Sequence, residues 1–326
     1  MKKILYQVHK WLSLIFVLPL LILSITGLIL AIRPTSDQVT GHIASPVSLS
    51  QILSKVHHER EEATISRIKF TEHFATLYVE EENLHLVTYN RANGELVSDI
   101  DRTTDPFYWA VMIHESLVLG KAGKIIVAIS GVGLVLVLLS GFFFWQRKNL
   151  FSQLKHLFSK GKWSKIKDLH LMMGMMILLP LLFQASTGFM IEFNSLVFSD
   201  KELIPHIAPS GCTIDQQIAL LNKIELGKKG QLRLCKPGFP YVQVIEKSQT
   251  RQLTPQGEEV LVVKDSEWLK SPFLRKSFFV HWHDGENFSF MELPYNALNG
   301  MGLLILCVTG VCLWYFKRQR RLAKNI

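Results

Sequence analysis

The chain has 326 residues, of which 48% are hydrophobic and 19% are charged, and its formal net charge at pH 7 is +9. A mean hydropathy of +0.20 argues against a soluble globular protein and excludes a disordered chain. The four cysteines form no CxxC or CxxCH motif. The sequence therefore excludes a disulfide scaffold, a cysteine-held iron–sulfur cluster and covalent c-type haem, and it argues against a structural zinc site.

Four apolar stretches contain no charged residue and are long enough to cross a bilayer, which takes about 20 residues. They are residues 11–32, 125–145, 171–191 and 297–316. We predict four transmembrane helices, two of which contain a proline, Pro19 or Pro180. The first stretch is too long for an ordinary signal peptide and no clear cleavage site follows it, so we interpret it as an uncleaved anchor.

Lysine and arginine are distributed unevenly between the connecting segments. Residues 147–167 carry seven basic residues and no acidic ones, the segment after residue 316 carries five, and residues 2–10 carry three. Segments 33–120 and 192–293 each contain 13 acidic residues, against 7 and 12 basic ones. The positive-inside rule therefore places both termini in the cytoplasm and two ectodomains outside. The basic residues of the cytoplasmic segments explain the positive net charge, so we infer no nucleic-acid partner from it.

The predicted organisation follows from these segments. Transmembrane helices cover 1–32, 121–146, 169–193 and 294–316; outer regions cover 33–120 and 194–293; a basic cytoplasmic loop covers 147–168 and a basic tail 317–326. Each outer region is predicted to be a small α+β module. The first has a helix at 49–60 and strands at 64–70, 74–80 and 84–90; the second has a helix from Thr213 to 225 and strands at 231–235, 241–246 and 260–263.

The chain is an internal repeat of two parallel halves. A His, a Pro and a Gly recur at relative positions 0, 10 and 18: His9, Pro19 and Gly27, then His170, Pro180 and Gly188. A His, two Gly and a Trp recur at 0, 17, 27 and 31: His114, Gly131, Gly141 and Trp145, then His283, Gly300, Gly310 and Trp314. The fold class is therefore an all-α four-helix transmembrane bundle of two repeats, with α+β outer domains.

The repeat singles out four of the twelve histidines as candidate ligands. His9 and His170 lie at the cytoplasmic edge, and His114 and His283 lie on the outer side, with one of each pair in each half. Two imidazoles facing each other across the repeat axis would suit a bis-His haem iron. The alternative is that each is a snorkelling or capping residue. On a strand His281 would share a face with His283, but the spacing to Gly300, Gly310 and Trp314 favours His283, so His281 is the reserve ligand.

Several methionines, basic residues and cysteines have both a functional and a purely structural interpretation. Four methionines before Pro180 could supply a thioether ligand or merely pack: Met172, Met173, Met175 and Met176. Basic residues near the membrane edges could pair with haem propionates or anchor the interface: Lys10, Arg33, Lys121, Lys124 and Lys167. Cys212 and Cys235 could form a disulfide, although sequence cannot establish the pairing. The remaining histidines are interpreted as surface residues: His42, His57, His58, His73, His85, His156 and His206.

Ordered motifs along the chain resemble the PepSY-associated transmembrane family. They are His9-Lys10-Trp11, the Leu-Ser-Gly-(x)3-Trp end of the second span, Asp168-Leu169-His170, His283-Asp284-Gly285-Glu286, and Val308-Thr309-Gly310-(x)2-Leu313-Trp314. The resemblance covers essentially the whole chain. It implies a bacterial inner-membrane protein with PepSY-like periplasmic domains. It also implies that His9/His170 and His114/His283 hold two haems b, as in family members that reduce ferric siderophores.

The mechanism expected from this resemblance is transmembrane electron transfer. An electron enters near the inner pair, passes to the outer pair and leaves to a periplasmic ferric siderophore or chelate, with no catalytic residue distinct from the haem ligands. Hydrolase, nicotinamide and flavin motifs are absent, so the donor would be a quinol or a cytoplasmic reductase. Substrate contacts would come from the ectodomains and from residues 106–119, which include Phe107, Tyr108 and Trp109.

Two other function classes remain open. A non-enzymatic binding or regulatory module on a membrane anchor would need no redox cofactor and would tolerate loss of the histidines. A siderophore permease would need polar side chains in the middle of the membrane, where the sequence offers Gln184 and a few hydroxyl groups.

Overall fold

The computed structural model describes residues 2–33, 45–61, 63–143, 162–197, 213–235, 241–246, 249–264, 272–285 and 291–323. The chain divides into two compact units. The membrane unit comprises Met1–Arg33, Ala110–Ser199 and Lys276–Ile326, and the sheet unit comprises Pro34–Trp109 and Asp200–Arg275.

The helices and strands alternate in blocks along the chain. In order they are α1 (Lys2–Ala31), α2 (Leu49–Glu59), β1 (Thr64–Phe70), β2 (Phe74–Glu80), β3 (Leu84–Asn90), β4 (Leu96–Asp101), α3 (Pro106–Ser116), α4 (Gly120–Phe142), α5 (Lys162–Met176), α6 (Leu178–Val197), α7 (Ile214–Leu221), β5 (Gly230–Arg233), β6 (Val242–Glu246), β7 (Gln249–Leu253), β8 (Glu259–Lys264), α8 (Pro272–His283) and α9 (Glu292–Leu322). Segment 106–119, from which substrate contacts are expected, begins with α3.

Membrane-spanning helices dominate the membrane unit. Helices α1, α4 and α9 are long and apolar enough to cross a bilayer, and α5 with α6 forms a further candidate span that is bent by 64°. The four predicted spans coincide with these helices. The third is therefore two helices at an angle, where the sequence predicted one continuous helix.

The bend coincides with the loss of one backbone hydrogen bond. Helix α5 ends at Met176 and α6 begins at Leu178. Pro180 has no N–H to donate to the Met176 carbonyl four residues earlier, and its ring crowds that carbonyl. Pro19 occupies the equivalent position in α1, which continues unbroken. The proline permits the break, and the packing around it decides whether the helix is interrupted.

The sheet unit contains one eight-stranded antiparallel sheet, in the order β4-β3-β2-β1-β5-β6-β7-β8. The sequence predicted two separate modules; instead, β1 of the first outer region pairs with β5 of the second, with Ile68 opposite Leu232. Each half alone would leave the edge of β1 or β5 unpaired, and joining them satisfies both edges. The order of strands is mirrored about this central pair, as expected for two copies of one unit.

Strand boundaries show where sequence patterns were sufficient. Strands β1, β2 and β3 begin and end as predicted. Strand β6 begins one residue later than predicted, and β5 and β8 differ from prediction by one or two residues at both ends. Strands β4 and β7 were not predicted, because Leu96–Asp101 and Gln249–Leu253 lack a clear apolar alternation. Both form because a neighbouring strand supplies the hydrogen-bond partners.

Helices α2 and α7 pack on one face of the sheet and share its core. Ser48 and Thr213 start them with capping boxes that involve Gln51 and Gln216. Helix α7 ends at Leu221, earlier than the predicted 225. The core includes completely buried side chains from α2 and the strands: Leu53, Val56, Leu77, Val87 and Val244.

Cysteine states differ between the two units. Cys235 in the sheet unit is disulfide-bonded, while Cys307 and Cys312 in α9 are free thiols. The remaining cysteine, Cys212, lies outside the described residues, as do His42, His156, His206, Trp145 and most of the basic cytoplasmic loop.

Candidate functional site

The four histidines singled out by the repeat meet in the membrane unit as two pairs. The ring centroids of His9 and His170 are 6.4 Å apart with an interplanar angle of 83°. Those of His114 and His283 are 6.3 Å apart with an angle of 55°. Each pair takes one histidine from each half, which is the pairing expected from the sequence.

Hydrogen bonds define the tautomer of the inner pair. The Nδ1 of His9 lies 3.0 Å from the Val137 carbonyl and 3.1 Å from Ser140 Oγ, and the Nδ1 of His170 lies 2.8 Å from Thr309 Oγ1. The hydroxyls of Ser140 and Thr309 donate their own protons to carbonyl groups of their helices. They can therefore accept from Nδ1–H, which leaves Nε2 of each ring with its lone pair available for a metal.

The outer pair repeats this arrangement. The Nδ1 of His114 lies 2.9 Å from Thr26 Oγ1, and the Nδ1 of His283 lies 3.0 Å from the Gln184 carbonyl and 3.3 Å from Thr187 Oγ1. Both threonine hydroxyls donate to carbonyls of their own helices. Thr26 and Thr187 occupy equivalent positions in the two halves, as do Ser140 and Thr309, so the orientation of all four rings is part of the repeat.

Each imidazole lies against a glycine of the repeat. A Cβ atom added to the glycine would lie 3.1 Å from Cε1 of His9 at Gly141, 3.5 Å from that of His170 at Gly310, 3.4 Å from that of His114 at Gly27 and 2.9 Å from that of His283 at Gly188. Contacts under about 3.4 Å require the neighbour to move. Gly141 and Gly188 therefore leave space that a side chain would take from His9 and His283, whereas a Cβ at Gly27 or Gly310 would make an ordinary contact.

Two further repeat-related glycines bring the helices together. Ring atoms of Phe16 lie 2.4 Å from the Cβ position of Gly133, and Cδ1 of Ile177 lies 2.6 Å from that of Gly302. The two contacts are equivalent in the two halves. Close helix packing at small residues is typical of membrane proteins.

Burial keeps the outer imidazoles neutral. It lowers the pKa of His114 to about 4, with a smaller contribution from the neighbouring His283, and it lowers the pKa of His283 as well. A neutral imidazole is the form that binds a metal ion.

Each pair offers two imidazole nitrogens, which would suit a metal ion whose other ligands come from a macrocycle. Two facing imidazoles that bind one metal ion through Nε2 at about 2.0–2.1 Å have ring centroids roughly 6.4 Å apart, allowing about 1.2 Å from nitrogen to centroid. Both observed separations fit this value. In the described ranges, no three His, Cys, Asp or Glu side chains are grouped as ligands for a bare metal ion. The two imidazoles of each pair are a donor set that would suit a bis-His haem iron.

The reserve candidate His281 has a different position. It is exposed on α8, which is a helix and not a strand. Residues two apart on a helix point about 200° from each other, so His281 does not share the face of His283. Among the methionines, Met173 packs against the core of the membrane unit and Met176 is exposed.

Two buried polar side chains were not identified from sequence. Asn299 in α9 is completely buried, and its amide lies near the Tyr295 hydroxyl without making a hydrogen bond of normal geometry in the described part of the chain. Glu192 in α6 is 5% exposed, and its Oε2 has no hydrogen-bond partner there. Aligning the two halves would have drawn attention to both. The positions equivalent to Asn299 and Glu192 in the first half hold the smaller residues Ser130 and Ala31.

Comparison with known protein families gives one match. A family model described as the PepSY-associated TM region matches residues 6–317, a range that contains all four paired histidines. No curated protein matches the chain significantly.

Proposed function

Because the chain belongs to the family of the PepSY-associated TM region, we propose that it is a b-type di-haem electron-transfer protein of the bacterial inner membrane. It reduces a ferric siderophore or similar chelate on the periplasmic side and releases Fe(II). The observation that supports this proposal is the pairing of four histidines at centroid separations of 6.4 and 6.3 Å, with Nδ1 of each ring hydrogen-bonded to a hydroxyl or carbonyl group of another helix.

In this proposal four histidines are the haem ligands, and neighbouring hydroxyl groups orient their rings. His9 and His170 would hold the inner haem, and His114 and His283 would hold the outer one. The serine and threonine hydroxyls fix the rings, which raises the basicity of Nε2. When bound there, haem b would supply reversible one-electron chemistry.

Two observations support the proposed orientation. The cytoplasmic segments carry the excess of basic residues, as the positive-inside rule requires. Cys235 of the sheet unit is disulfide-bonded, which is typical of the periplasm and rare in the cytosol. The four spans then form a bundle of two parallel repeats, with the sheet unit outside.

The proposed substrate class follows from the chemistry of iron. Hard oxygen chelators bind Fe(III) more tightly than Fe(II), so one-electron reduction releases the metal. The sequence contains no nicotinamide or flavin motif, which leaves a quinol or a cytoplasmic reductase as the electron donor.

The proposal is tested by counting haems in the detergent-purified protein. The reduced-minus-oxidised spectrum and the pyridine haemochrome content would be measured for the wild type, His170→Ala and His283→Ala. His58→Ala is the control, because His58 is exposed on α2 in the sheet unit. We expect about two haems b per wild-type and control chain, and about one in each ligand variant.

A colourless protein from haem-replete cells would overturn the proposal. That result would favour a membrane-anchored binding module. If haem is present but ferric chelates are not reduced, electron transfer stands and the substrate assignment fails.

A further inference from the structure

One face of the eight-stranded sheet carries a group of arginine and tyrosine side chains. The guanidinium of Arg67 lies 5.1 Å from the ring centroid of Tyr78, and that of Arg102 lies 5.8 Å from Tyr78 and 4.5 Å from Tyr108. These four residues and Arg233 are called the arginine–tyrosine cluster below. All five belong to the sheet unit and are half-buried.

The cluster includes two arginines at the centre of the sheet. Arg67 on β1 and Arg233 on β5 are directly opposite each other in the pair of strands that joins the two halves. Their neighbours Ile68 and Leu232 are buried in the core shared with α2 and α7, so the arginines lie on the other face. Arg67 and Arg233 thus place two guanidinium groups on this face at the centre of the sheet.

The positive charge of Arg67 and Arg102 is not offset by ion pairs within the described residues. The salt bridges of the sheet unit there involve other basic side chains: Arg60, His85, Lys228 and Arg251. The acidic residues next to Arg102 in sequence, Asp101 and Asp105, accept backbone hydrogen bonds within their own turns. The cluster therefore combines accessible guanidinium groups with aromatic faces.

We propose that the arginine–tyrosine cluster binds an anionic aromatic iron chelate of the catecholate class. In the metal complex the two catecholate oxygens coordinate the iron, but the complex keeps a net negative charge that attracts guanidinium groups and flat rings that can stack on tyrosine or arginine. A neutral ferric trihydroxamate offers neither the charge nor the ring. The iron in this assignment rests on the proposed function, while the binding chemistry rests on the cluster alone.

Binding is measured with gallium(III), which has the charge and size of iron(III) but is not reduced. The probes are the gallium complexes of 2,3-dihydroxybenzoate and of a neutral linear trihydroxamate, titrated calorimetrically into the detergent-purified full chain. We expect the catecholate complex to bind at least roughly tenfold more tightly than the hydroxamate, with an affinity that decreases as salt increases.

Variants separate the cluster from the general charge of the unit. Arg67→Gln and Arg102→Gln should each weaken catecholate binding by roughly tenfold, and Arg102→Lys, which keeps the charge without the fork, should weaken it less. Lys223→Gln is the matched control, because Lys223 is an exposed cation beyond α7, on the helix side of the sheet. It should change the affinity by less than about twofold.

The outcomes distinguish this inference from the proposed function. Equal binding of the two gallium complexes, or unchanged catecholate binding in both Arg→Gln variants and Arg102→Lys, would overturn the ligand assignment even if haem and reductase activity are present. Selective catecholate binding that the arginine variants lose would support it, even if the protein contained no haem.

Discussion

Thr309 accepts a hydrogen bond from His170 between helices α9 and α5, with 2.8 Å between Oγ1 and Nδ1. The threonine is able to accept because its own proton is donated to the Ile305 carbonyl. The equivalent Ser140 stands in the same relation to His9 in the other half. Two distant segments thus define which nitrogen of each ring can bind a metal.

Thr309→Val keeps the shape of the side chain and removes the acceptor. We expect the inner haem to bind about 10–100-fold more weakly, because the ring loses the partner that fixes its tautomer. The measurement is haem retention during dilution, followed by visible spectroscopy. Ser186→Ala is the control, since Ser186 makes a similar bond to its own helix but is exposed. Equal haem retention in the two variants would contradict the prediction.

Gly188→Ala and Gly310→Ala should differ in their effects. The added Cβ would lie 2.9 Å from His283 Cε1 at position 188 but 3.5 Å from His170 Cε1 at position 310, which is an ordinary contact. Gly188→Ala is therefore expected to lose about one haem per chain, from the outer pair, and Gly310→Ala to retain both. Pyridine haemochrome analysis of the two variants measures this; loss from Gly310→Ala alone would refute the steric argument.

Asn299→Leu is expected to stabilise the membrane unit. A buried amide that makes no hydrogen bond of normal geometry costs about 1–3 kcal/mol, and leucine, which has the same number of side-chain heavy atoms, removes that cost. Thermal unfolding in detergent should show a higher midpoint. Ser130→Ala is the matched control, because the Ser130 hydroxyl is already bonded to the Ile126 carbonyl. A lower midpoint for Asn299→Leu would mean that the amide holds a ligand or a water molecule.

Acid stability of the sheet unit should depend on Asp99. Burial raises the pKa of this carboxyl, but hydrogen bonds from His85 and Arg60 outweigh it and hold the pKa below the ordinary value of 3.8. A depressed carboxyl pKa contributes stability above pH 3.8, and this contribution is lost as the pH falls through the lower, folded-state pKa. Asp99→Asn should therefore lower the unfolding midpoint at pH 6 and flatten its dependence on pH below 4.

The readout is tryptophan fluorescence during thermal unfolding of the full chain at several pH values. Glu82→Gln is the control for loss of one negative charge, because Glu82 is exposed in the β2–β3 turn. If Asp99→Asn and Glu82→Gln had the same pH profile, the ion-pair argument would fail.

Local features of the sequence were sufficient for much of the architecture. The apolar stretches predicted the spanning helices, because a hydrocarbon core requires continuous apolar surface over a known length. Alternating residues predicted β1, β2 and β3, and Thr213 predicted the start of α7. The equal spacing of histidines and glycines in the two halves identified the four paired rings, because related halves place equivalent residues at equivalent positions.

Contacts between distant segments were decided only by the tertiary structure. Arg67 and Arg233 lie opposite each other on strands that are far apart in sequence, and the sequence of neither strand indicates which strand it pairs with. The bend after Met176 depends on packing, since Pro19 in the equivalent context leaves α1 unbroken. The sequence by itself determined which segments cross the membrane and which histidines are equivalent, because composition and spacing are local. The register of the central strands and the orientation of each imidazole depend on partners that only folding brings within hydrogen-bond distance.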